Sequence, residues 1–427
     1  AADGNLPLEV VRFGLFGLEG ESLASFGTNR NAFLLQTVGE AFFAADDDTV
    51  CRVSAAPDSS AGLRFTAGCD PAEYWIFSDR ESALRSVPAI EEDILAIHEK
   101  ILGKDPSVIA SSLAGETAVD LERMDPALLR KLESGSGRVL ATITGTLGDC
   151  AWGSPFGYWG GPMGYLLFEG KSHERLVQSE SVYRAACTSR ELLRVVTCPT
   201  ISDGTGVMGT FMCFDNRDLL PPHLPVGRGT DLTFGATLWK CFEGGYFGHV
   251  PRALLHSPVE YRRFWPGEIF RSASGYDIDK LMIDCITSYE FGPGKAGGKQ
   301  RLRELGKYLM ELGSMPLAEF EEFLRIQIWQ TAGLFISRME DQLRACARSP
   351  KFWAADVEKY IDVLRRSVAR KDYFVPLDLM LGRNGSSAQE LSQRLVFKFG
   401  QLLYWWADIA AVAKMLKARE QGLASPV

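Results

Sequence analysis

Three consecutive carboxylates, Asp46, Asp47 and Asp48, follow a short apolar run at residues 41–45. An uncharged run of this length is typical of a buried strand in a parallel sheet, so the carboxylates come where that strand leaves the sheet. Open α/β sheets bind ligands at the carboxyl ends of their strands. In an extended segment alternate side chains point the same way, which would let Asp46 and Asp48 reach one hard cation together. The spacing predicts a D-x-D site in which Mg²⁺ or Mn²⁺ holds a diphosphate.

An acidic triplet also has a simpler interpretation as solvated loop decoration. Like charges crowded at a strand end repel one another unless a cation or hydrogen-bond donors offset them, which favours the metal site. A helix before the strand would position it. Gly39 ends an apolar run of helical spacing there, as a glycine after a helix commonly does. The apolar positions of that run are Ala32, Leu34, Leu35 and Val38.

Residues 27–48 resemble the family 2 glycosyltransferases with the GT-A fold. In that family an Arg-Asn pair opens a helix, Gly-Glu follows, and an apolar strand delivers D-x-D. The same pieces stand here in the same order, as Arg30-Asn31, Gly39-Glu40 and Asp46-x-Asp48. The resemblance implies an α/β fold with a GT-A-like, Rossmann-like mixed sheet flanked by helices. It also implies donor contacts from four residues: Arg30, Asn31, Asp46 and Asp47.

The resemblance covers residues 27–256, with a long interruption between Asp48 and Arg138. In the GT-A fold a nucleotide-binding strand and helix precede the D-x-D by a larger part of the domain than residues 1–45 provide. The resemblance therefore implies that the first β-α-β unit is missing, shortened or cut away.

A second candidate, Asp231, follows the glycine-rich turn at residues 225–229 and starts a predicted helix. In the resembling family an acidic pair at this helix start supplies the catalytic base of inverting members. This chain keeps the Asp but has Thr230 where an acid is usual. An acidic residue in a first turn can alternatively stabilise the helix dipole by about 0.3–1 kcal/mol. We predict that Asp231 is the base, and that Arg228 in the turn before it lies on the acceptor side.

A predicted strand at residues 245–256 closes on a histidine. The resembling family shows a similar strand whose closing His can complete the metal or diphosphate site, and His256 fits that place. His249 is the alternative ligand, because a Gly-His-Val-x-Arg variant exists among the relatives. Either histidine could instead be a hydrogen-bonded structural residue.

An aromatic, glycine-rich loop at residues 152–161 follows a predicted strand that begins at residue 138. Sugars present apolar CH faces beside their hydroxyl groups, so Trp and Tyr rings on such a loop could form an acceptor platform. The same rings could equally pack inward. Trp152 and Asp149 are therefore predicted on the acceptor side.

The composition excludes several classes of protein. The chain has 427 residues, of which 46% are hydrophobic, and this is enough for a sizeable core and two domains. A net charge of -8 without a basic stripe argues against nucleic-acid binding. Nine Cys without a C-x-x-C pair favour reduced thiols in a cytoplasmic protein. No signal peptide and no apolar run near 18 residues is present, so a transmembrane segment is not expected.

The pattern of elements predicts two domains. Residues 1–290 form the GT-A-like domain, with a helical insertion at about 81–135. Residues 291–299 are a glycine-rich linker, since Pro293 and Gln300 stand where a phosphate loop needs Gly and Ser or Thr. Residues 300–427 form a helical bundle, and a homo-oligomer could form through these helices.

Together the residues and the resemblance predict a metal-dependent glycosyltransferase that moves a sugar from a nucleotide-sugar donor to a hydroxyl acceptor. The acceptor could be a glycan, a peptide or a small molecule. The reaction would invert the anomeric centre, with Asp231 as base. One alternative is a catalytically silent nucleotide-sugar-binding or scaffold protein, which Thr230 favours. Another is a metal-dependent nucleotidyl or phosphoryl transferase, which would need further carboxylates on a neighbouring strand.

Overall fold

The computed structural model describes residues 6–21, 23–67, 70–113, 115–121, 124–135, 137–152, 161–204, 209–292 and 296–419. Within these residues the strands are β1 (Ala41–Ala45), β2 (Thr49–Ala55), β3 (Leu63–Thr66), β4 (Glu73–Ile76), β5 (Thr117–Val119), β6 (Arg138–Asp149), β7 (Glu191–Val195), β8 (Thr200–Ser202), β9 (Phe211–Asp215) and β10 (Gly245–His256). The helices are α1 (Leu8–Phe16), α2 (Phe26–Gln36), α3 (Arg80–Ser86), α4 (Ile94–Glu99), α5 (Pro106–Ser112), α6 (Pro126–Glu133), α7 (Gly170–Leu176), α8 (Glu180–Ala186), α9 (Thr230–Cys241), α10 (Ile278–Thr287), α11 (Gly298–Ser314), α12 (Leu317–Ala345), α13 (Lys351–Val368) and α14 (Gly385–Ala418). Short 3₁₀ segments occur at Gly161–Leu167, Glu268–Ser274 and Leu377–Leu379.

One mixed sheet forms the centre of the α/β part. Its main path runs β1-β9-β6-β10-β8-β3-β5; β2 pairs with β10, and β7 joins β4 to β6. The two longest strands, β6 and β10, are parallel, whereas β9 and β7 both run antiparallel to β6. Because β6 and β10 share a direction, their carboxyl ends at Asp149 and His256 reach the same edge of the sheet. The predicted mixed α/β architecture with a C-terminal helical region is confirmed at this level.

β1 corrects the prediction of a buried strand in a parallel sheet. It lies at the end of the sheet and, among the described strands, pairs only with β9, in antiparallel register. Most of its residues are exposed or half-buried, and Phe43 is 55% exposed while its ring stacks on Phe211. An edge strand can carry apolar side chains that remain exposed to solvent, so the apolar composition of residues 41–45 does not show whether they are buried.

The predicted insertion at about 81–135 is a series of short helices rather than long ones. The helices α3, α4, α5 and α6 each begin at an aspartate whose carboxylate accepts a backbone N–H of the first turn. A side-chain cap of this kind stabilises a helix start, so each Asp begins a new helix. The segment also contributes β5, which pairs in parallel with β3. The four capping residues are Asp79, Asp93, Asp105 and Asp125.

The C-terminal helices pack closely against one another and against the sheet. Gly306 of α11 and Gly400 of α14 face each other, and a Cβ on either would lie 2.6–2.8 Å from the backbone oxygen of the other. The absence of side chains at these positions allows the two helices to touch. The Trp406 ring N–H donates to the Leu220 carbonyl at 2.7 Å, so α14 is joined to the segment after β9. One apolar core extends through both parts. The linker prediction at residues 291–299 stays a prediction, and 293–295 lie outside the described residues.

No described helix combines the length and the apolar character needed to cross a bilayer.

Candidate functional site

A carboxylate and an imidazole meet at the carboxyl edge of the sheet. His256 ends β10 and stands opposite Thr49 in the β2 ladder, which brings the preceding Asp48 beside it. The two are held in register by the Ser257 N–H, which donates to the Asp48 carbonyl at 2.8 Å. The Nε2 atom of His256 lies 3.0 Å from the carboxylate of Asp48, whose side chain is 29% exposed. Both residues of this pair are metal ligands predicted from the sequence.

The hydrogen bond at the other ring nitrogen of His256 determines which tautomer the imidazole adopts. Its Nδ1 lies 2.7 Å from the backbone carbonyl of Asp149. A carbonyl only accepts hydrogen bonds, so Nδ1 carries the proton. In the neutral ring Nε2 then presents a lone pair to the Asp48 carboxylate, and a second proton or a cation must lie between them. A metal-binding histidine commonly donates its other N–H to a carbonyl in this way, so the donor set fits a divalent cation.

Arg30 of α2 joins two further carboxylates. Its Nη2 donates to Asp46 at 3.0 Å and lies 3.7 Å from the carboxylate of Asp231. Asp231 is in the first turn of α9, as predicted, and its side chain is 23% exposed. The structure therefore brings together side chains that lie about 200 residues apart in the sequence.

The positive charge near these carboxylates does not fully compensate their negative charges. Burial raises the pKa of Asp46 from 3.8 to about 6; Arg30 opposes this, while Asp231 and Asp48 add to it. Burial also raises the pKa of Asp231, again against the influence of Arg30. One guanidinium thus serves several acids, and an added cation would stabilise their ionised forms.

The metal assignment of Asp46 needs correction in one respect. Asp46 to Asp48 do not form an extended segment; they make a tight turn in which the Thr49 N–H donates to the Asp46 carbonyl. Within the described residues no three His, Cys, Asp or Glu side chains converge to hold one metal ion. Mg²⁺ in nucleotide sites is commonly held by one or two carboxylates together with substrate phosphates, and Asp48 suits that arrangement. Asp46 is directed to Arg30 instead.

Asp47 differs from its neighbours because it is exposed. Across the described part of the chain it makes no hydrogen bond and no ion pair. The predicted donor contact from Asp47 therefore has no support in its surroundings.

The structure adds His223, which the sequence did not indicate. Its ring stacks on Phe234 with centroids 4.4 Å apart, and its Nδ1 lies 3.7 Å from Oδ1 of Asp231. Both of these atoms are buried without a hydrogen-bond partner among the described residues. Burial lowers the pKa of His223 well below its usual value, so the ring is neutral. His223 lies in a proline-rich run without periodicity, and the only available signal was that the chain has five His.

Asn31 has a different role from the predicted contact with the donor. It is fully buried, and its amide donates at 3.0 Å to the carbonyl groups of both Gly14 and His223. Its Oδ1 accepts the backbone N–H of His223 at 2.8 Å. All three contacts are with backbone, so Asn31 positions His223 rather than a ligand.

The turn before α9 is held in place by a side chain of α10. Asp279 of α10 accepts the backbone N–H groups of Arg228 and Gly229, at 3.0 and 2.6 Å. Gly227 has a φ of +92°, and a Cβ there would lie 2.8 Å from the Asp279 carboxylate oxygens. These contacts fix where α9, and with it Asp231, begins. Arg228 itself is exposed with its guanidinium 5.6 Å from the Phe26 ring, so an acceptor-side role stays a prediction.

The remaining acceptor-side candidates are structural. Asp149 is buried and paired with Arg190 and Arg262, whose hydrogen bonds and charges hold its pKa below its usual value against the effect of burial. Trp152 is also buried, and its ring packs against Tyr165 and Phe264. The predicted platform at residues 153–160 lies outside the described residues.

His249 is separated from the site. It lies within β10, is buried, and its Nε2 is 2.9 Å from the Ser202 hydroxyl. No ion pair or hydrogen bond in the described ranges joins it to Asp46 or Asp48. His256 is the histidine that reaches the acidic turn.

Comparisons of this chain with protein families, with curated proteins and with solved structures find no match.

Proposed function

We propose that this protein is a metal-dependent glycosyltransferase that transfers a sugar from a nucleotide-sugar donor to a hydroxyl acceptor. The observation that supports this function is the convergence of Asp48 with His256 and of Asp231 with Arg30 at one edge of the sheet. Such an edge is where open α/β sheets bind ligands. The convergence combines a candidate cation-binding pair with a partly exposed carboxylate base.

Asp48 and His256 would hold Mg²⁺ or Mn²⁺ through a carboxylate oxygen and Nε2. When bound, the cation neutralises the charge that develops on the leaving diphosphate. The carbonyl of Asp149 keeps the His256 ring in the tautomer that leaves Nε2 available. The hydrogen bond from the Ser257 N–H to the Asp48 carbonyl holds the turn in place before any ligand arrives.

Asp231 would accept the proton of the acceptor hydroxyl as its oxygen bonds to the anomeric carbon and the bond to the diphosphate breaks. Its raised pKa makes it a stronger base than an ordinary aspartate. Arg30, whose Nη2 lies 3.7 Å from the Asp231 carboxylate, opposes the effect of burial on the pKa of Asp231 and so favours the ionised form that can act as base. The neutral His223 on the other side adds no opposing charge and limits access of water to the buried Oδ1 atom.

The direct test screens nucleotide sugars for thermal stabilisation of the full chain, with Mn²⁺ and with EDTA. A ligand that binds the native state raises its stability according to its concentration relative to Kd. We expect one class of nucleotide sugar to stabilise the protein only when Mn²⁺ is present. Incubation with that donor should then release free sugar and nucleoside diphosphate.

The products separate this function from the alternatives. Release of sugar phosphate would indicate phosphoryl or nucleotidyl transfer. Stabilisation by the donor without any turnover, in the presence of a broad acceptor panel, would indicate a binding protein. Absence of stabilisation by every nucleotide sugar would refute the proposal.

A further inference from the structure

Two arginines share one buried carboxylate next to His256. Arg190 makes a bidentate pair with Asp149, with Nε and Nη2 at 2.8 and 2.9 Å from the two oxygens. Arg262 approaches the same oxygens, with Nη2 at 3.0 Å and Nε at 3.3 Å. Asp149 and Arg190 are both buried, whereas the Arg262 side chain is 40% exposed.

The charges of this cluster do not cancel. Arg190 alone satisfies the Asp149 carboxylate in fork-to-fork geometry, so Arg262 brings a second positive charge to an anion that already has a partner. The neighbouring acid does not absorb the surplus, because Glu191 is itself paired with Arg80 at 2.6 Å. Three guanidinium groups thus face two carboxylates at the ends of β6 and β7.

Arg262 also has donors to spare. A guanidinium carries five N–H groups, and Arg262 directs only Nε and Nη2 at Asp149. Over the described ranges its Nη1 has no acceptor within hydrogen-bond distance. Among the described residues, the buried carboxylate therefore orients a half-exposed guanidinium whose Nη1 edge has no partner. An anionic ligand would complete its hydrogen bonds.

The position of Arg262 identifies which anion this is. Asp149 Oδ1 lies 3.8 Å from Nδ1 of His256, so one carboxylate separates Arg262 from the candidate cation-binding pair. Asp231 and Arg30 lie beside Asp46. An acceptor hydroxyl must sit within hydrogen-bond reach of the base, which places the acceptor beside Asp231. The group nearest Arg262 is then the diphosphate of the donor.

We propose that Arg262, oriented by Asp149 and Arg190, binds the diphosphate of the nucleotide-sugar donor and stabilises it as the leaving group. This inference rests on the proposed function, since it assigns a further contact to the same donor. Arginine suits this place because its planar fork matches phosphate oxygens in pairs. The segment that carries it is anchored by Arg80, whose Nη1 donates to the Ser257 hydroxyl at 2.7 Å.

The test measures binding of inorganic pyrophosphate and of a nucleoside diphosphate to the full chain by calorimetry. Arg262→Gln is compared with the wild type and with Arg263→Gln, which removes the same charge from an exposed neighbour. All titrations use one ionic strength, with Mg²⁺ and again with EDTA. We expect Arg262→Gln to bind both probes roughly ten- to a hundredfold more weakly, the loss typical of a charged hydrogen-bonding partner. Arg263→Gln should bind as the wild type does, and Arg262→Lys should lie between.

Thermal unfolding accompanies each titration, because Asp149 keeps Arg190 in the variant and the fold should persist. Equal binding by Arg262→Gln and the wild type, or an equal loss in Arg263→Gln, would overturn the inference. If Asp48→Asn weakens binding with Mg²⁺ while Arg262→Gln does not, the proposed function stands and only the arginine assignment fails. A wild-type protein that binds no nucleoside diphosphate would remove both.

Discussion

Replacing Asp48 by Asn tests the candidate metal site with the smallest change of shape. The amide keeps the volume of the carboxylate but loses its charge, and neutral amide oxygens are poorer ligands for hard cations. Changes in the outer shell of a metal site already cost about 10–100-fold in affinity, so loss of a direct ligand should cost at least about 100-fold. If the wild type is studied with Mn²⁺ at 100 times its Kd, the ion stabilises the native state by about 2.7 kcal/mol. In Asp48→Asn the same concentration would give about 0.4 kcal/mol.

Without metal, the same substitution should leave the stability almost unchanged. Asp48 is 29% exposed, and among the described residues its side chain has one ionic partner, the buried His256. Because one partner is partly exposed and the other is buried, the pair contributes about 1 kcal/mol, the upper end of the range for surface ion pairs. The new amide can donate to Nε2 of His256, which replaces the unfavourable approach of a carboxylate to a lone pair.

The assay is thermal unfolding in EDTA and across a Mn²⁺ titration, followed by the rate of sugar transfer. Asp47→Asn is the matched control, because it removes an equal charge from the exposed neighbouring position. We expect it to retain the affinity for Mn²⁺ that Asp48→Asn loses. The reasoning fails if Asp48→Asn keeps Mn²⁺-dependent stabilisation and wild-type transfer, or if Asp47→Asn loses them equally.

Three further predictions follow from individual side chains. Asp231→Asn should lower turnover by about 10²–10⁴-fold at unchanged donor affinity, and wild-type kcat/KM should fall with decreasing pH through a pKa above 3.8; steady-state kinetics check both. Asp149→Asn should cost about 3–5 kcal/mol in denaturant unfolding because Arg190 stays buried unpaired, whereas Asp218→Asn, on an exposed pair, should cost less than about 1 kcal/mol. Burial beside Asp277 raises the pKa of Asp378 to about 7 in the folded protein. Between pH 3.8 and 7 the unfolded chain has lost this proton while the folded protein still holds it, so wild-type stability falls as the pH rises. Asp378→Asn should therefore gain stability relative to the wild type between pH 5 and pH 8, measured by thermal unfolding.

The successful sequence predictions all concern features with a local cause. The glycine-rich turn and the apolar spacing after it place Asp231 in the first turn of α9. The strand that closes on a histidine is β10, and it ends at His256 as predicted.

The errors concern partners that are distant in the chain. The composition of residues 41–45 predicts a buried parallel strand, but β9 pairs with β1 in the opposite direction at the end of the sheet. The Arg-Asn pair at the resembling motif divides its roles, since Arg30 reaches Asp46 and Asp231 while Asn31 holds His223. Neither the antiparallel pairing of β1 nor the separate roles of Arg30 and Asn31 can be recognised from the local sequence, because each depends on contacts with residues that are distant in the chain.

The sequence by itself indicated where α9 and β10 lie, and it named Asp48, Asp231 and His256 as candidates for the chemistry of the site. Those properties depend on backbone preference and on side-chain spacing, which act over a few residues. Only the tertiary structure decided that Asp48 takes His256 as its partner, that Arg30 lies between Asp46 and Asp231, and that Asp149 is a buried anchor. Each of these contacts joins residues whose separation is set by the order and direction of strands, and that order follows from packing the whole core.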